Sequence, residues 1–213
     1  MVLVLAFASG VFLALALTPR FQSWPRWASF LYIGGLAALF GPGLASVLYF
    51  GLVVMHAATP GAIYGVNGAL LAVSVVAAIK LREPRVQSEE RTQRFPWTWA
   101  LAVAFAAGCV LLILDMQSAT EANPNGEVDA SAIWNLRGRY LAGGDETWKR
   151  AISPSLGGGM TGSSHPGYPL FLSSVVAMQW TASKSFDSSV PIAAGVVISL
   201  AVLALLVLSL IHI

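Results

Sequence analysis

Apolar runs about as long as a membrane span divide this chain, and short clusters of charged residues separate them. A helix rises 1.5 Å per residue, so about 20 apolar residues cross the roughly 30 Å hydrocarbon core of a bilayer. Only 10% of the residues are charged and the mean hydropathy is +0.72, whereas about a quarter of the residues are charged in a soluble domain. The sequence therefore excludes a water-soluble globular protein and predicts an all-α, polytopic membrane helix bundle.

The apolar runs predict about six transmembrane helices. The second run contains Gly41-Pro42-Gly43, for which one kinked helix is the simpler interpretation and two half-spans are the alternative. Thr59-Pro60-Gly61 predicts a tight turn after it. The six predicted spans are Val2–Leu17, Ala28–Ala58, Ala62–Ile79, Trp97–Leu114, Tyr168–Trp180 and Val190–Val207.

Lysine and arginine predict the orientation of these helices. If every helix crosses once, the three segments Thr18–Trp27, Lys80–Pro96 and Thr181–Ser189 share one side, and they carry eight of the twelve Lys and Arg residues. The positive-inside rule assigns that side to the cytoplasm. The segment 115–167 is then a long outer loop, and any chemistry is expected there because the predicted helix centres carry no ionisable group.

The chain is expected to divide at its basic segment. Residues 1–96 would form N-terminal membrane helices and a basic cytoplasmic loop, and residues 97–207 the start of a second membrane unit. The last six residues, 208–213, read LSLIHI. The reverse complement of a common sequencing adaptor encodes the same six residues. We therefore expect an adaptor-derived tail on a fragment of a longer protein, the alternative being an ordinary helix end with His212.

An amphipathic helix is predicted in the outer loop, directly after Asp129. It ends at Gly143-Gly144 and is suited to lie in the membrane interface. Its apolar face is formed by Ile133, Trp134, Arg137, Tyr140 and Leu141. Its opposite face is formed by Ser131, Asn135 and Arg139.

Several residues of this loop have two interpretations. Arg137 either holds a phosphate by paired hydrogen bonds or extends to bulk lipid headgroups. Asp129 is either an N-cap or a general base. His165 precedes the fifth predicted helix, where it is either a donor to an anionic group or an interfacial histidine without a catalytic role.

Two motifs in this region resemble a known family. The motifs D-A-x-A-I-W-N-L-R-x-R at Asp129–Arg139 and H-P-x-Y-P-L at His165–Leu170, placed between two membrane helices, resemble the bacterial glycosyltransferases of the GT-C superfamily. These are related to protein O-mannosyltransferases and to aminoarabinose transferases of lipid A. The resemblance covers about 75 residues, 97–172. Ser131 departs from it where a tryptophan is usual, and Gly167 where an aspartate is usual.

The resemblance implies a function for the whole protein. It would move a sugar from a polyprenyl-phosphate carrier to an acceptor on the outer face of a bacterial inner membrane. Asp129 becomes the candidate catalytic base, and the candidate substrate-binding residues are Arg137, His165, Trp134 and Tyr168. No organic cofactor is implied, a divalent cation stays open, and the net charge of +2 gives no argument for nucleic-acid binding. The alternative is a non-enzymatic membrane subunit or polysaccharide-export component.

Overall fold

The computed structural model of the chain describes residues 1–18, 26–81, 98–124, 126, 130–153 and 169–212. These ranges are helical and contain no β-strand. A π-helical turn, Ala130–Asn135, leads directly into α5, and a 3₁₀ helix, Asp145–Ile152, follows it. The α-helices are α1 (Val2–Leu17), α2 (Arg26–Val54), α3 (Pro60–Lys80), α4 (Thr98–Ala122), α5 (Leu136–Ala142), α6 (Phe171–Ser183) and α7 (Ser189–His212).

Four helices in these ranges are long and apolar enough to cross a membrane, which fits an integral membrane protein. α1 is apolar throughout but has only 16 residues, or about 24 Å of helix. The prediction of an all-α fold is thus confirmed for the described residues, and their four apolar helices are compatible with a membrane protein, whereas six spans are not confirmed. The four spans are Arg26–Val54, Pro60–Lys80, Trp99–Ala122 and Ser189–Ser209.

α1 and α2 pack through small residues at intervals of four. A Cβ atom on Gly41 would lie 2.9 Å from the Gly10 nitrogen and would clash with the Ala6 carbonyl. This close backbone approach is the small-xxx-small geometry of membrane helix pairs, in which dispersion contacts replace the hydrophobic effect. The residues that line this contact are Ala6, Gly10 and Ala14 on α1, and Ala37, Gly41 and Ala45 on α2, and all of them are buried.

α2 is one continuous helix with Pro42 in its interior. Proline has no backbone N–H, so the carbonyl of Ala38 loses its usual helical partner at this point. Neighbouring helices in a bundle tolerate such a break. The simpler sequence prediction, one helix rather than two half-spans, agrees with this element. α3 begins at Pro60, two residues before the predicted start at Ala62, and Thr59 is its N-cap, with its side chain accepting a hydrogen bond from the Ala62 N–H at 3.2 Å.

The turn between α2 and α3 defines one end of the bundle, which we call the loop end. α1 begins at the loop end, since the Leu3 N–H donates to the side chain of Gln179 at 3.4 Å and Val2 packs in one cluster with Tyr49 and Val53 of α2. The cations Arg26 and Lys80 mark the opposite end, because they lie at the start of α2 and the end of α3.

α6 does not cross the bundle, in contrast to the fifth predicted span. It has 13 residues, whereas about 20 are needed to cross. A Cβ on Gly43, in the middle of α2, would lie 3.5 Å from the ring of Phe171, at the start of α6. At the other end of α6, the Thr181 hydroxyl lies 2.8 Å from that of Tyr49. The helix therefore ends at the loop end. The segment 181–189, which was predicted on the cytoplasmic side, lies at the opposite end of the bundle from Arg26 and Lys80.

α4 and α7 are antiparallel. A Cβ on Gly195, near the start of α7, would lie 3.5 Å from Met116, and one on Gly108 would lie 3.4 Å from Leu203. α4 extends to Ala122, two turns beyond the predicted end at Leu114. Helix α7 likewise continues past Val207 to His212.

The hydrophobic core lies toward the loop end, where the membrane helices meet the helices of the predicted outer loop. Its buried members come from α1, α2, α3, α5, the 3₁₀ helix and α6. We call the segment Ala130–Ser153 together with α6 the loop layer, because both pack on this core. The buried core residues are Val2, Ala6, Ala45, Tyr49, Val53, Ile63, Leu141, Ala151, Ala177 and Met178.

Candidate functional site

Two of the five predicted site residues, Trp134 and Arg137, lie in the described part of the chain. Asp129, His165 and Tyr168 lie outside the described residues. The described helix of the first motif, residues 130–142, nevertheless contacts α6, the helix that follows the second motif.

The first motif region meets α6 through a side-chain hydrogen bond and a close helix packing. The Ser173 hydroxyl of α6 donates a hydrogen bond to the Trp134 carbonyl at 3.0 Å. A Cβ on Gly138 would lie 3.2 Å from the indole of Trp180 and 3.4 Å from the Ser173 carbonyl, so glycine permits the close approach of α5 to α6. The helix that follows Asp129 is thereby packed against the helix that follows the His165–Leu170 motif.

Arg137 is buried inside the loop layer. Only 4% of it is exposed, and its Nε donates to the carbonyl of Ala151 at 2.7 Å. Desolvation by this burial lowers the pKa of the Arg137 guanidinium. The side chain therefore connects α5 to the 3₁₀ helix, and it does not extend to bulk lipid headgroups.

The predicted interfacial face of this helix is covered by protein. Ile133 and Leu141 are buried and Tyr140 is half-buried. They pack on α6 and on the core at the loop end. The periodicity correctly indicated an amphipathic helix ending at Gly143. Much of its apolar face packs against other helices of the chain, and its position in the membrane interface stays a prediction.

The hydroxyl of Tyr49, on α2, bonds the loop layer to the helix beneath it. Tyr49 is 1% exposed, and its hydroxyl donates to the Leu141 carbonyl at 3.1 Å while lying 2.8 Å from Thr181 Oγ1. One phenol thus joins α2, α5 and α6. Neither Tyr49 nor Thr181 was singled out by the sequence, because their partners are separated by 92 and 132 positions in the chain.

The opposite face of the helix borders a pocket of about 290 Å³. It is lined by Ser131, Asn135, Leu136 and Arg139. Arg139 is exposed, and its guanidinium carbon lies 5.9 Å from the centroid of the Phe186 ring, a cation–π distance. The sequence placed three of these residues on one face by their spacing of four but gave them no role.

Three ionisable side chains, His56, Glu146 and Lys149, form a cluster at the edge of the loop layer. His56, in the α2–α3 turn, is 3.5 Å from Glu146, which also pairs with Lys149. The hydrogen bond from Lys149, followed by the charges of Lys149 and His56, lowers the pKa of the Glu146 carboxyl. These side chains are more than half exposed, and exposed pairs of this kind contribute little to stability.

An apolar groove of about 360 Å³ runs from the loop end toward the middle of the bundle. It lies between α1, α2, α6 and α7, and α4 contributes none of its lining residues. Pro42 forms part of its wall. The lining residues are Leu3, Val4, Phe7, Ala38, Pro42, Val175, Ala193, Ala194, Val197 and Ile198.

Among the described residues, no three His, Cys, Asp or Glu side chains come together as a metal site would require. Comparison with known proteins finds no matching family model, no matching curated protein and no matching solved structure.

Proposed function

We propose that this chain belongs to a membrane glycosyltransferase that moves a sugar from a polyprenyl-phosphate carrier to an acceptor hydroxyl. The observation that carries the proposal is the packing of the helix after Asp129 against α6, which follows the His165–Leu170 motif. That packing supports a shared site, because residues far apart in the chain must converge on one substrate for group transfer.

In the proposed reaction, the Asp129 carboxylate takes the proton of the acceptor hydroxyl. The acceptor oxygen attacks the anomeric carbon of the sugar, and the bond between that carbon and the phosphate oxygen breaks. The phosphate leaves with the bonding electron pair and remains on the lipid. General-base catalysis of this kind contributes about 10²- to 10⁴-fold in rate.

The other residues of the motifs have supporting roles in this proposal. His165 and Tyr168 precede α6 and would contact the donor, and Trp134 would lie beside it. The sequence pattern offers Arg137, on the apolar face of its helix, as a phosphate-binding residue. Its burial and its bond to Ala151 support a positioning role instead, in which it fixes the 3₁₀ helix against α5.

The apolar groove supports a donor that is a lipid. Its walls are carbon-rich side chains of four helices, and burying methylene groups there would contribute about 0.8 kcal/mol each. The lipid chain would then approach beside α7 and α1.

The sequence segments that adjoin Arg26 and Lys80 support an orientation for this protein, because with these two residues they carry seven of the twelve Lys and Arg residues, against five in or beside the loop layer. Arg26 and Lys80 lie at the end opposite the loop layer. By the positive-inside rule that end would face the cytoplasm, and the loop layer would face the outside of a bacterial inner membrane.

The test is transfer by the full-length protein carrying Asp129→Asn. Purified wild-type protein in vesicles is supplied with a polyprenyl-phosphate hexose, and release of polyprenyl phosphate is measured. We expect the variant to lose at least a hundredfold in rate. Glu121→Gln is the matched control, because Glu121 is an exposed acid at the end of α4, and it should retain the wild-type rate.

Two outcomes would contradict the proposal. Unchanged release in Asp129→Asn would remove Asp129 from the mechanism. Absence of release by the wild-type protein with hexose, pentose and amino-sugar donors would favour the alternative, a membrane subunit without transferase activity.

A further inference from the structure

The two arginines of the N-L-R-x-R sequence have different environments. Arg137 is 4% exposed and its Nε is bonded to the Ala151 carbonyl. Arg139, two residues later, lies on the opposite face of α5 and is exposed at the rim of the 290 Å³ pocket. An anion that arrives from outside the protein can reach Arg139, whereas the protein surrounds Arg137.

The pocket combines groups that recognise a phosphate. A guanidinium presents a planar fork of N–H donors that matches two phosphate oxygens. The amide of Asn135 and the hydroxyl of Ser131 line the same space, and both side-chain types donate hydrogen bonds to oxygen atoms. At roughly 30 Å³ for each water-sized group, the pocket has room for a phosphate and part of an attached group.

The surroundings of Arg139 favour one position for its side chain. Its guanidinium lies over the Phe186 ring, which itself packs edge-on against Trp180 with centroids 5.3 Å apart. The nearby Asp187 carboxylate accepts a hydrogen bond from the Ser189 N–H at 2.9 Å at the start of α7. The cation therefore lies over the Phe186 ring, which Trp180 supports, and the Asp187 carboxylate has its own hydrogen-bond partner.

We infer that Arg139, and not Arg137, binds the phosphate of a membrane lipid in this pocket, with Asn135 and Ser131 as neutral hydrogen-bonding groups. The choice of ligand rests on the proposed function, since a polyprenyl-phosphate donor carries this group. In the sequence, the pocket residue Ser131 follows the proposed base Asp129 by two positions.

Binding is measured by native mass spectrometry of the full chain in a neutral sugar detergent, titrated with dodecyl phosphate. Loss of a charge-assisted hydrogen bond weakens binding about tenfold or more, so we expect Arg139→Gln to raise the apparent Kd by that factor. Arg139→Lys keeps the charge without the planar fork and should give an intermediate loss.

Arg150→Gln is the matched control, because Arg150 is also an exposed arginine of the loop layer but does not line the pocket. It should bind dodecyl phosphate as the wild type does. Equal losses in Arg139→Gln and Arg150→Gln, or no loss in Arg139→Gln, would overturn the inference.

Two further arms separate the possible explanations. Titration with inorganic phosphate should give no adduct at the concentrations that saturate with dodecyl phosphate; equal binding of the free ion would overturn the assignment to a lipid. Asp129→Asn should bind dodecyl phosphate normally, because binding needs no base. A failure of this binding experiment is thus distinguishable from a failure of sugar transfer.

Discussion

At its middle, α2 meets α1 through small residues, whereas near the loop end it meets α5 and α6 through the hydroxyl of Tyr49. In the first contact the backbones of Gly10 and Gly41 approach directly. In the second, a single buried atom has partners on two other elements. We therefore expect the first contact to be destabilised by a larger side chain at a glycine, and the second by removal of the Tyr49 hydroxyl.

The largest effect is expected when a methyl group is added to the α1–α2 contact. Gly41→Ala would place a Cβ against the Ala6 carbonyl and the Gly10 nitrogen, both of which are backbone atoms that cannot move aside. We expect the free energy of unfolding to fall by about 3 kcal/mol, the upper part of the range for overpacking. Thermal unfolding in detergent, followed by circular dichroism, measures the change.

Gly51→Ala is the control for this variant. Gly51 lies in the same helix, and a Cβ there would have nothing within 4 Å. Alanine has the higher helix propensity, by about 1 kcal/mol, so this variant should be unaffected or slightly stabilised. If the two variants unfold at the same temperature, the α1–α2 backbone contact is not formed in the protein.

The second effect concerns the loop layer and should leave the α1–α2 contact unchanged. Arg137→Ala removes the donor to the Ala151 carbonyl and the packing of the arginine stem. We expect the loop layer to lose about 2 kcal/mol, seen as faster amide hydrogen exchange in residues 145–153. Exchange in α1 and α2 should not change.

Arg150→Ala provides the comparison, since Arg150 is exposed in the same 3₁₀ helix, and it should change stability by less than about 0.5 kcal/mol. Equal exchange in the two variants would show that Arg137 does not hold the 3₁₀ helix, and would return it to consideration as a ligand-binding residue.

The smallest effect is expected at Tyr49. Tyr49→Phe keeps the ring in the core but removes the hydroxyl that donates to Leu141, at a cost of about 1 kcal/mol. Tyr64→Phe is matched to it, because the Tyr64 ring also packs on this core and its hydroxyl has no hydrogen bond within the described ranges. Unfolding temperatures that fall equally in both variants would contradict a specific role for the Tyr49 hydroxyl.

The sequence predicted the membrane helices well where length and hydropathy determine them. α1 has the predicted bounds Val2–Leu17, and α2 is the predicted single helix with a proline inside. The end of α5 at Gly143 also follows from local chemistry. These features depend on neighbours within a few residues, which a sequence pattern displays directly.

The arrangement of the loop layer could not be predicted in the same way. α6 is mainly apolar, so it was predicted to cross, but it is less apolar than the four spans, and its polar residues Ser173 and Thr181 pair with distant segments that hold it at the loop end. An arginine on an apolar helix face indicated a lipid surface, and only the tertiary structure shows that the Ala151 carbonyl lies there. Long-range partners of this kind leave no periodic signal.

Four of the hydrogen bonds within the loop layer, or between it and its neighbours, run from a side-chain donor to a main-chain oxygen of another segment. The donors are the side chains of Tyr49, Arg137, Ser173 and Trp180, and the acceptors are the carbonyls of Leu141, Ala151, Trp134 and Asp187. Since every amino acid carries such a carbonyl, substitution of the accepting residues leaves the acceptor atoms in place. Natural variation is thus constrained by these bonds at four positions and not at eight.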